Sequence, residues 1–272
     1  MNADNNTQQL FDLSGRVAIV TGGSGLLAYE HMKALADFGA IVVLADLYNK
    51  EKMDERIAEL NINGEEKGMA IICDVTQKES WEALRDAVIA KFGHIDILLN
   101  NAGFTNQSQT PNFSRTFENF PLEDWNNIIN VNLTGTFLGC QVIGNEMLAQ
   151  GSGSIINFAS LYGVVSPNHN IYPDTGISQP VAYSVSKGAV ITLTRYLAAL
   201  WAPKGVRVNS ITPGGIFNGH NEIFTSRFGQ LNPIGRMSDK SELRGAIAYL
   251  ASAASSHMIG HNLVVDGGWT IW

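Results

Sequence analysis

Cysteine is nearly absent. The chain has two, Cys73 and Cys140, in 272 residues, and neither sits in metal-ligand spacing. Two isolated thiols exclude a disulfide scaffold and read as buried groups of a protein kept in a reducing cytoplasm. Charge is also sparse, at 16% of residues, and leans acidic: 18 Lys and Arg against 25 Asp and Glu leave a net charge of −7. An acidic surface argues against nucleic acid or an anionic membrane as the main partner. The apolar runs are strand-sized or broken by polar residues, so no membrane span is expected. The six histidines show no HxxxH or similar pairing, and no metal site is expected. The opening MNADNNTQQLFDLSG lacks the basic-then-apolar order of a secretory signal. Residues 1–12 are expected to be a flexible N-terminus.

What the chain does have is alternation. Strand-like runs fall at Arg16–Gly22, Ala40–Asp46, Gly68–Val75, His94–Gly103, Ser152–Ser160, Gly205–Gly215 and Asn262–Gly268. They are continuous apolar stretches, as strands covered on both faces require. Helical patterns lie between them, including Leu26–Phe38, Lys78–Phe92, Leu122–Gln150 and Ser241–Ser252. Strand and helix in strict succession imply parallel strands with crossover helices. The expected fold is α/β: a doubly wound, Rossmann-type parallel sheet of seven strands in three layers. No linker, charge block or repeat divides it, so one domain is expected over residues 1–272.

The first strand runs into VTGGSGLLAYE. Gly23-Ser24-Gly25-Leu26-Leu27-Ala28 fits G-x-G-x-x-G/A, in the strand–helix context where such glycines bring backbone close to a pyrophosphate at a helix N-terminus. Asp46 ends the second strand, 46 − 25 = 21 residues after Gly25. A carboxylate there accepts from a ribose 2′-hydroxyl and repels a 2′-phosphate. Leu47, Tyr48 and Ser24 offer no cation, so NAD is expected over NADP.

VAYSVSKGAV places a phenol and an ammonium, Tyr183 and Lys187, four residues apart on an otherwise small and apolar helix. At that spacing the two share one face. Together with TGGSGLLA, NNAG (Asn100–Gly103), Val131-Asn132, Ser160 and Pro213-Gly214, the set resembles the short-chain dehydrogenase/reductase family, in the family's order and over essentially the whole chain. The ending GHNLVVDGGWTIW and the glycine loop are also similar to bacterial members found with sugar and nonulosonic acid biosynthesis. The resemblance implies Tyr183 as general acid/base, Lys187 as its electrostatic partner and a ligand of the nicotinamide ribose, Ser160 on the substrate oxygen, and Asn132 holding a relay water. It further implies a cofactor lined by Gly22, Ser24, Gly25, Leu26, Leu27, Asp46, Asp74, Val75, Asn101, Ala102, Gly103, Tyr183, Lys187, Pro213, Gly214 and Ile216. Relatives commonly carry Thr four residues after that Gly214; here the residue is Asn218. A free phenol titrates near 10, about three units above neutrality, so roughly 4 kcal/mol of phenolate stabilisation is expected from Lys187 and an oxidised nicotinamide.

Two long polar stretches follow strands at their C-terminal ends, Phe104–Pro121 and Ser166–Pro180. Loops of this length usually serve a site. Arg115 in the first could clamp an anion. His169, Asn170, Tyr172 and Asp174 in the second could touch substrate, while Tyr162 reads as core or pocket packing. The expectation is a secondary alcohol–ketone oxidoreductase acting with NAD on a polar, sugar-like substrate. A 3-oxoacyl-thioester reductase shares the motif set, and a dinucleotide-sensing protein without turnover is the alternative of another class. Helix surface and the large apolar tail residues Trp269, Ile271 and Trp272 suggest a homotetramer, with a dimer next.

Overall fold

β1 (Val17–Thr21) is buried at every position, and its side chains alternate between two separate cores. Val17 and Ile19 face one, Ala18 and Val20 the other. A strand can do this only when helices cover both faces of its sheet. The structure is a computed structural model describing residues 6–60, 68–104 and 116–272. Around β1 lie β2 (Ile41–Asp46), β3 (Gly68–Ile72), β4 (Ile97–Asn100), β5 (Gly153–Phe158), β6 (Val206–Pro213) and β7 (Asn262–Val265). All pair in parallel, in the order β3-β2-β1-β4-β5-β6-β7. The seven-stranded Rossmann-type sheet and its single domain are thus as the sequence predicts.

One core packs α3 (Lys78–Phe92), α5 (Gly135–Gln150) and α6 (Val181–Trp201) on the sheet through residues such as Trp81, Ile143 and Trp201. The opposite core packs α1 (Leu26–Ala36), α2 (Lys50–Leu60) and α8 (Arg244–Ala251) through Met32, Met53 and Leu250. Burying each such side chain contributes about 1.5–3 kcal/mol. Strand order reverses between β1 and β4, and the crevice beyond the carboxyl ends of these two strands is where open α/β sheets bind ligands.

Three expectations change. Leu122–Gln150 is not one α-helix: α4 (Leu122–Ile129) and α5 are joined by a π turn at Asn130–Thr134. The wider turn falls where the buried Asn132 side chain leaves its helix to bond elsewhere, a usual place for such a bulge. Of the N-terminal segment, residues 1–5 lie outside the described residues. Thr7–Phe11 forms a 3-10 turn, with Phe11 5.8 Å from the ring of Phe38. Trp269 is not part of an exposed tail; it is buried and stacked 4.2 Å from Phe228, leaving Ile271 and Trp272 outside.

Candidate active site

The glycine loop leaves β1 on Gly22, whose φ of +68° favours glycine. A Cβ there would stand 3.0 Å from Ala102 Cα, and one on Gly25 would stand 2.9 Å from the Gly22 carbonyl oxygen. Gly25 caps α1 without any side-chain hydrogen bond. The first amides of α1 are therefore left for a ligand at the positive end of the helix, which suits a pyrophosphate. Asp46 closes the far end. Its Oδ2 accepts from the Ser24 amide at 3.0 Å and the Ser24 hydroxyl at 2.7 Å. Among the described residues its Oδ1 takes only a long contact from the Tyr48 amide at 3.3 Å, which leaves lone pairs for a diol. One cation was missed in the sequence. Arg56 of α2 donates to the carbonyls of Gly23 and Gly25 at 2.5 and 2.9 Å and lies on the Tyr29 ring.

Beside this loop the NNAG turn is pinned by Thr21. Its hydroxyl accepts from the amides of Asn101 and Ala102 at 3.1 and 3.0 Å. Asn101 donates to the Thr21 carbonyl at 2.8 Å and meets His31 Nε2 at 3.2 Å. His31 is wholly buried on α1, with its other ring nitrogen unpartnered among the described residues. Burial lowers its pKa to about 3, the bond to Asn101 opposing. Folding thus favours the neutral ring. Its contribution is full above pH 6.5 and is lost as pH falls toward about 3, at about 1.4 kcal/mol per unit of pH. His31→Gln should flatten this acid limb in urea melts taken between about pH 4 and 7. Equal slopes in both proteins would assign the limb to another group. After β3, Asp74 folds its own turn by accepting from the Thr76 amide and hydroxyl, and Val75 holds the Trp81 indole through its carbonyl.

Ser160 follows β5 and Tyr183 opens α6, and both line the same cleft, with the Ser160 hydroxyl near enough to favour the Tyr183 phenolate. Lys187 Nζ lies 5.8 Å from the Tyr183 ring centroid and donates to the Phe158 carbonyl at 2.7 Å. Burial brings this ammonium down to about 8. A Cβ on Gly103 would meet Asn132 Oδ1 at 3.3 Å, a tight contact, and Lys187 Nζ at 3.6 Å, so this turn packs directly against both side chains. Asn132 accepts from the Phe104 amide at 2.7 Å and donates to the Ser186 hydroxyl at 3.2 Å. Its side chain thereby braces Phe104 against α6.

In the protein alone, burial holds the Tyr183 phenol above its ordinary value and the neighbouring Ser160 hydroxyl opposes this; the expected lowering was from Lys187 together with an oxidised nicotinamide. The ammonium is turned to a carbonyl, which uses part of its field elsewhere.

These groups border one cleft of about 640 Å³. Every sequence-named site residue lines it except Ser24, which stands behind Asp46, and Asn132, which stands behind Gly103. Pro213, Gly214 and Ile216 lie where β6 ends, and Asn218 lines the cleft beyond them. Of the two polar loops, residues 105–115, Arg115 included, lie outside the described residues. The Ser166–Pro180 insert folds over the cleft against α7 (Glu222–Leu231), a helix not anticipated from the sequence. Asn221 donates to the Thr175 carbonyl at 2.7 Å, and the Tyr172 and Phe224 rings are 5.7 Å apart. Of the four insert residues singled out, Tyr172 reaches the cleft.

Comparison with known proteins decides the family. Residues 25–270 match a family model described as enoyl-(acyl carrier protein) reductase. The chain is 38% identical over 267 residues to the D-threitol dehydrogenase of Mycolicibacterium smegmatis, covering 96% of this chain and 95% of that one. The crystal structure of a short-chain type dehydrogenase/reductase from Mycobacterium marinum is 34% identical, with a TM-score of 0.86 over 98% of this chain and 99% of its own. This chain belongs to the short-chain dehydrogenase/reductase family. It is an oxidoreductase of the secondary alcohol–ketone kind, working with a nicotinamide dinucleotide. The gluconate 5-dehydrogenase of Burkholderia cenocepacia, solved in complex with NADP and tartrate, has the same fold. It is 30% identical, with a TM-score of 0.87 over 98% of this chain and 100% of that one.

Proposed function

We propose that this short-chain dehydrogenase uses NAD to interconvert a secondary alcohol and a ketone on a polar, sugar-like substrate, with Tyr183 as acid/base. The observation that carries the reading is the convergence of Ser160, Tyr183 and Lys187 on the one cleft that the glycine loop also lines, with Lys187 Nζ 5.8 Å from the Tyr183 ring centroid. The dinucleotide supplies the hydride acceptor or donor and, when oxidised, a positive ring. In the oxidative direction Tyr183, as phenolate, takes the carbinol proton while the Ser160 hydroxyl donates to the oxygen where charge develops. Lys187 favours the phenolate and holds the nicotinamide ribose. The raised phenol means that Lys187 alone does not suffice, so full activation waits for the positive ring. Asn132 serves as brace and as the anchor of a relay water. Gly22, Ser24, Gly25, Leu26 and Leu27 hold the pyrophosphate side, Asp74 and Val75 flank the adenine, and Asn101, Ala102, Gly103, Pro213, Gly214 and Ile216 wall the nicotinamide side. The Mycolicibacterium threitol dehydrogenase supports a polyol-like substrate.

The choice of NAD rests on Asp46. The neighbouring Burkholderia enzyme was solved with NADP, so fold alone does not decide the cofactor. Here Oδ1 keeps lone pairs for a ribose diol, while the nearby Arg56 is committed to two loop carbonyls. NAD⁺ should be used at least about tenfold more efficiently than NADP⁺, about 1.4 kcal/mol. Asp46→Ala should narrow the gap, since it leaves Arg56 as the nearest charge. Equal kcat/KM for the two cofactors in the unmutated enzyme would remove the basis for NAD.

We further propose a homotetramer in the cytoplasm. Exposed Phe137 on α5 and Val185, Tyr196 and Leu200 on α6 form apolar surface of the kind that marks contacts, and exposed Ile271 and Trp272 add a second patch. Two patches serve two interfaces; the helical one alone gives a dimer. Light scattering should report a multiple of the chain mass. A stable 29.5 kDa species at micromolar concentration would rule out both assemblies. The buried, unpaired Cys73 and Cys140 fit a reducing compartment, and no helix among the described residues is long and apolar enough to cross a membrane.

A further inference from the structure

Two phenols stand in the cleft that the proposed reaction does not use. Tyr162 lies two residues past Ser160, in the same 3-10 turn, where its amide donates to Ser160 Oγ at 3.3 Å. Tyr172 comes from the Ser166–Pro180 insert. The two hydroxyls are 2.6 Å apart, both rings line the cleft, and both phenols lie within electrostatic range of Tyr183. The position of Tyr172 is fixed from outside. Thr175 Oγ1 donates to its carbonyl at 2.6 Å, Asn221 of α7 holds the Thr175 carbonyl, and Phe224 packs on the ring.

A hydrogen bond between two hydroxyls uses one of their two protons. The other is left for a third oxygen. Both rings are half-buried in an apolar wall, where a phenol proton left without an acceptor is costly, so a pair held in this way is placed to meet a third oxygen. The same wall carries a second unmet donor. Gln179, at the end of the insert, also lines the cleft, and its amide nitrogen is buried with no partner among the described residues. Around these donors the surface is Leu161, Phe224, Phe228 and Met237. Apart from Lys187, no Lys or Arg lines this cleft among the described residues. Donors set in an apolar wall without a cation suit neutral hydroxyl oxygens better than a phosphate or a carboxylate.

We propose that the Tyr162–Tyr172 hydroxyl pair is a specificity device that donates to a second substrate oxygen, one carbon from the carbinol being oxidised, so that the enzyme selects neutral vicinal diols. Tyr162 makes the contact and Tyr172 is the positioning residue that orients it. Gln179 donates to an oxygen further along the chain. The insert thus supplies the selectivity, which explains why Ser160 and Tyr183 lie 23 residues apart in sequence. An acyl-thioester substrate would set an acyl chain against these donors and leave them unpaired.

This inference rests on the dehydrogenase reading above, and the test separates the two. Oxidation with NAD⁺ is measured on matched pairs with and without the neighbouring hydroxyl: butane-2,3-diol against butan-2-ol, and cyclohexane-1,2-diol against cyclohexanol. The unmutated enzyme should favour the diols by about tenfold or more in kcat/KM. Tyr162→Phe and Tyr172→Phe keep the rings and remove one hydroxyl each. Both should abolish that preference, with turnover of the mono-alcohols within about twofold of normal. The unchanged mono-alcohol rate also shows that each variant is folded. A preference that survives both substitutions, or an equal fall on alcohols with and without the second hydroxyl, overturns the device while leaving the dehydrogenase intact. Failure to oxidise any of the four with NAD⁺ or NADP⁺, by contrast, strikes at the dehydrogenase reading and takes the inference with it.

Discussion

Tyr183→Phe is expected to lower turnover by at least about 10², the lower range for positioned acid/base catalysis. The change deletes one oxygen and leaves the ring, so the packing of α6 against its neighbours is kept. The KM for the dinucleotide should barely move, because the groups assigned to its diphosphate and adenosine ends lie at Gly22–Leu27 and Asp46. The unmutated enzyme should lose oxidation activity as pH falls, since the phenol must be ionised to accept the carbinol proton. Burial holds that phenol high in the protein alone, so the limb should sit at lower pH in the dinucleotide complex than in the free enzyme. A folded Tyr183→Phe protein that turns over at a near-normal rate would make the Tyr–Lys pair structural.

Lys187→Met should damage two things at once. Turnover should fall by about 10² or more and the KM for the dinucleotide should rise by about tenfold, because the ammonium is assigned to both phenolate and ribose. The pH limb for oxidation should move upward with the positive charge gone. Stability supplies a readout with its own sign. The ammonium's pKa is lowered by burial, so its charged form is disfavoured on folding, and this group's contribution improves as pH rises from about 8 to 10.5. Methionine removes that dependence and the buried charge with it. The cost is the hydrogen bond to the Phe158 carbonyl, about 1 kcal/mol. At neutral pH the variant should therefore be at least as stable as its parent while nearly inactive. Thermal melts showing a protein both inactive and strongly destabilised would give Lys187 a structural role.

The sheet was legible because each strand is buried on both faces and so writes itself as an unbroken apolar run between turn residues. Asp46 and the Tyr183–Lys187 pair were legible for a different reason: their spacing is fixed by local geometry, a strand end and one helical turn. Groups brought in by tertiary contact left no such mark. Arg56 meets carbonyls 33 and 31 residues earlier, and His31 meets Asn101 across 70. The α7 segment NEIFTSRFGQL buries only Phe224 and Phe228, too little apolar periodicity to announce a helix. Tyr162 read as packing because nothing local says that an insert ten residues on will set a hydroxyl 2.6 Å from its own. The π turn was hidden too, since Asn132 looks like any polar helix residue until Phe104 is placed beside it. Helical spacing gave the proximity of Lys187 to Tyr183 correctly but could not show the Phe158 carbonyl, which comes from β5 and takes a hydrogen bond from the same ammonium.

The most direct test of the assigned activity is the appearance of reduced-nicotinamide absorbance when purified protein is mixed with NAD⁺ and a panel of neutral polyols, sugars and sugar acids. Reduced dinucleotide should form with neutral polyols, faster with NAD⁺ than with NADP⁺, and the ketone should appear in equal amount. An active-site-intact protein that reduces neither dinucleotide with any member of the panel would contradict the assignment.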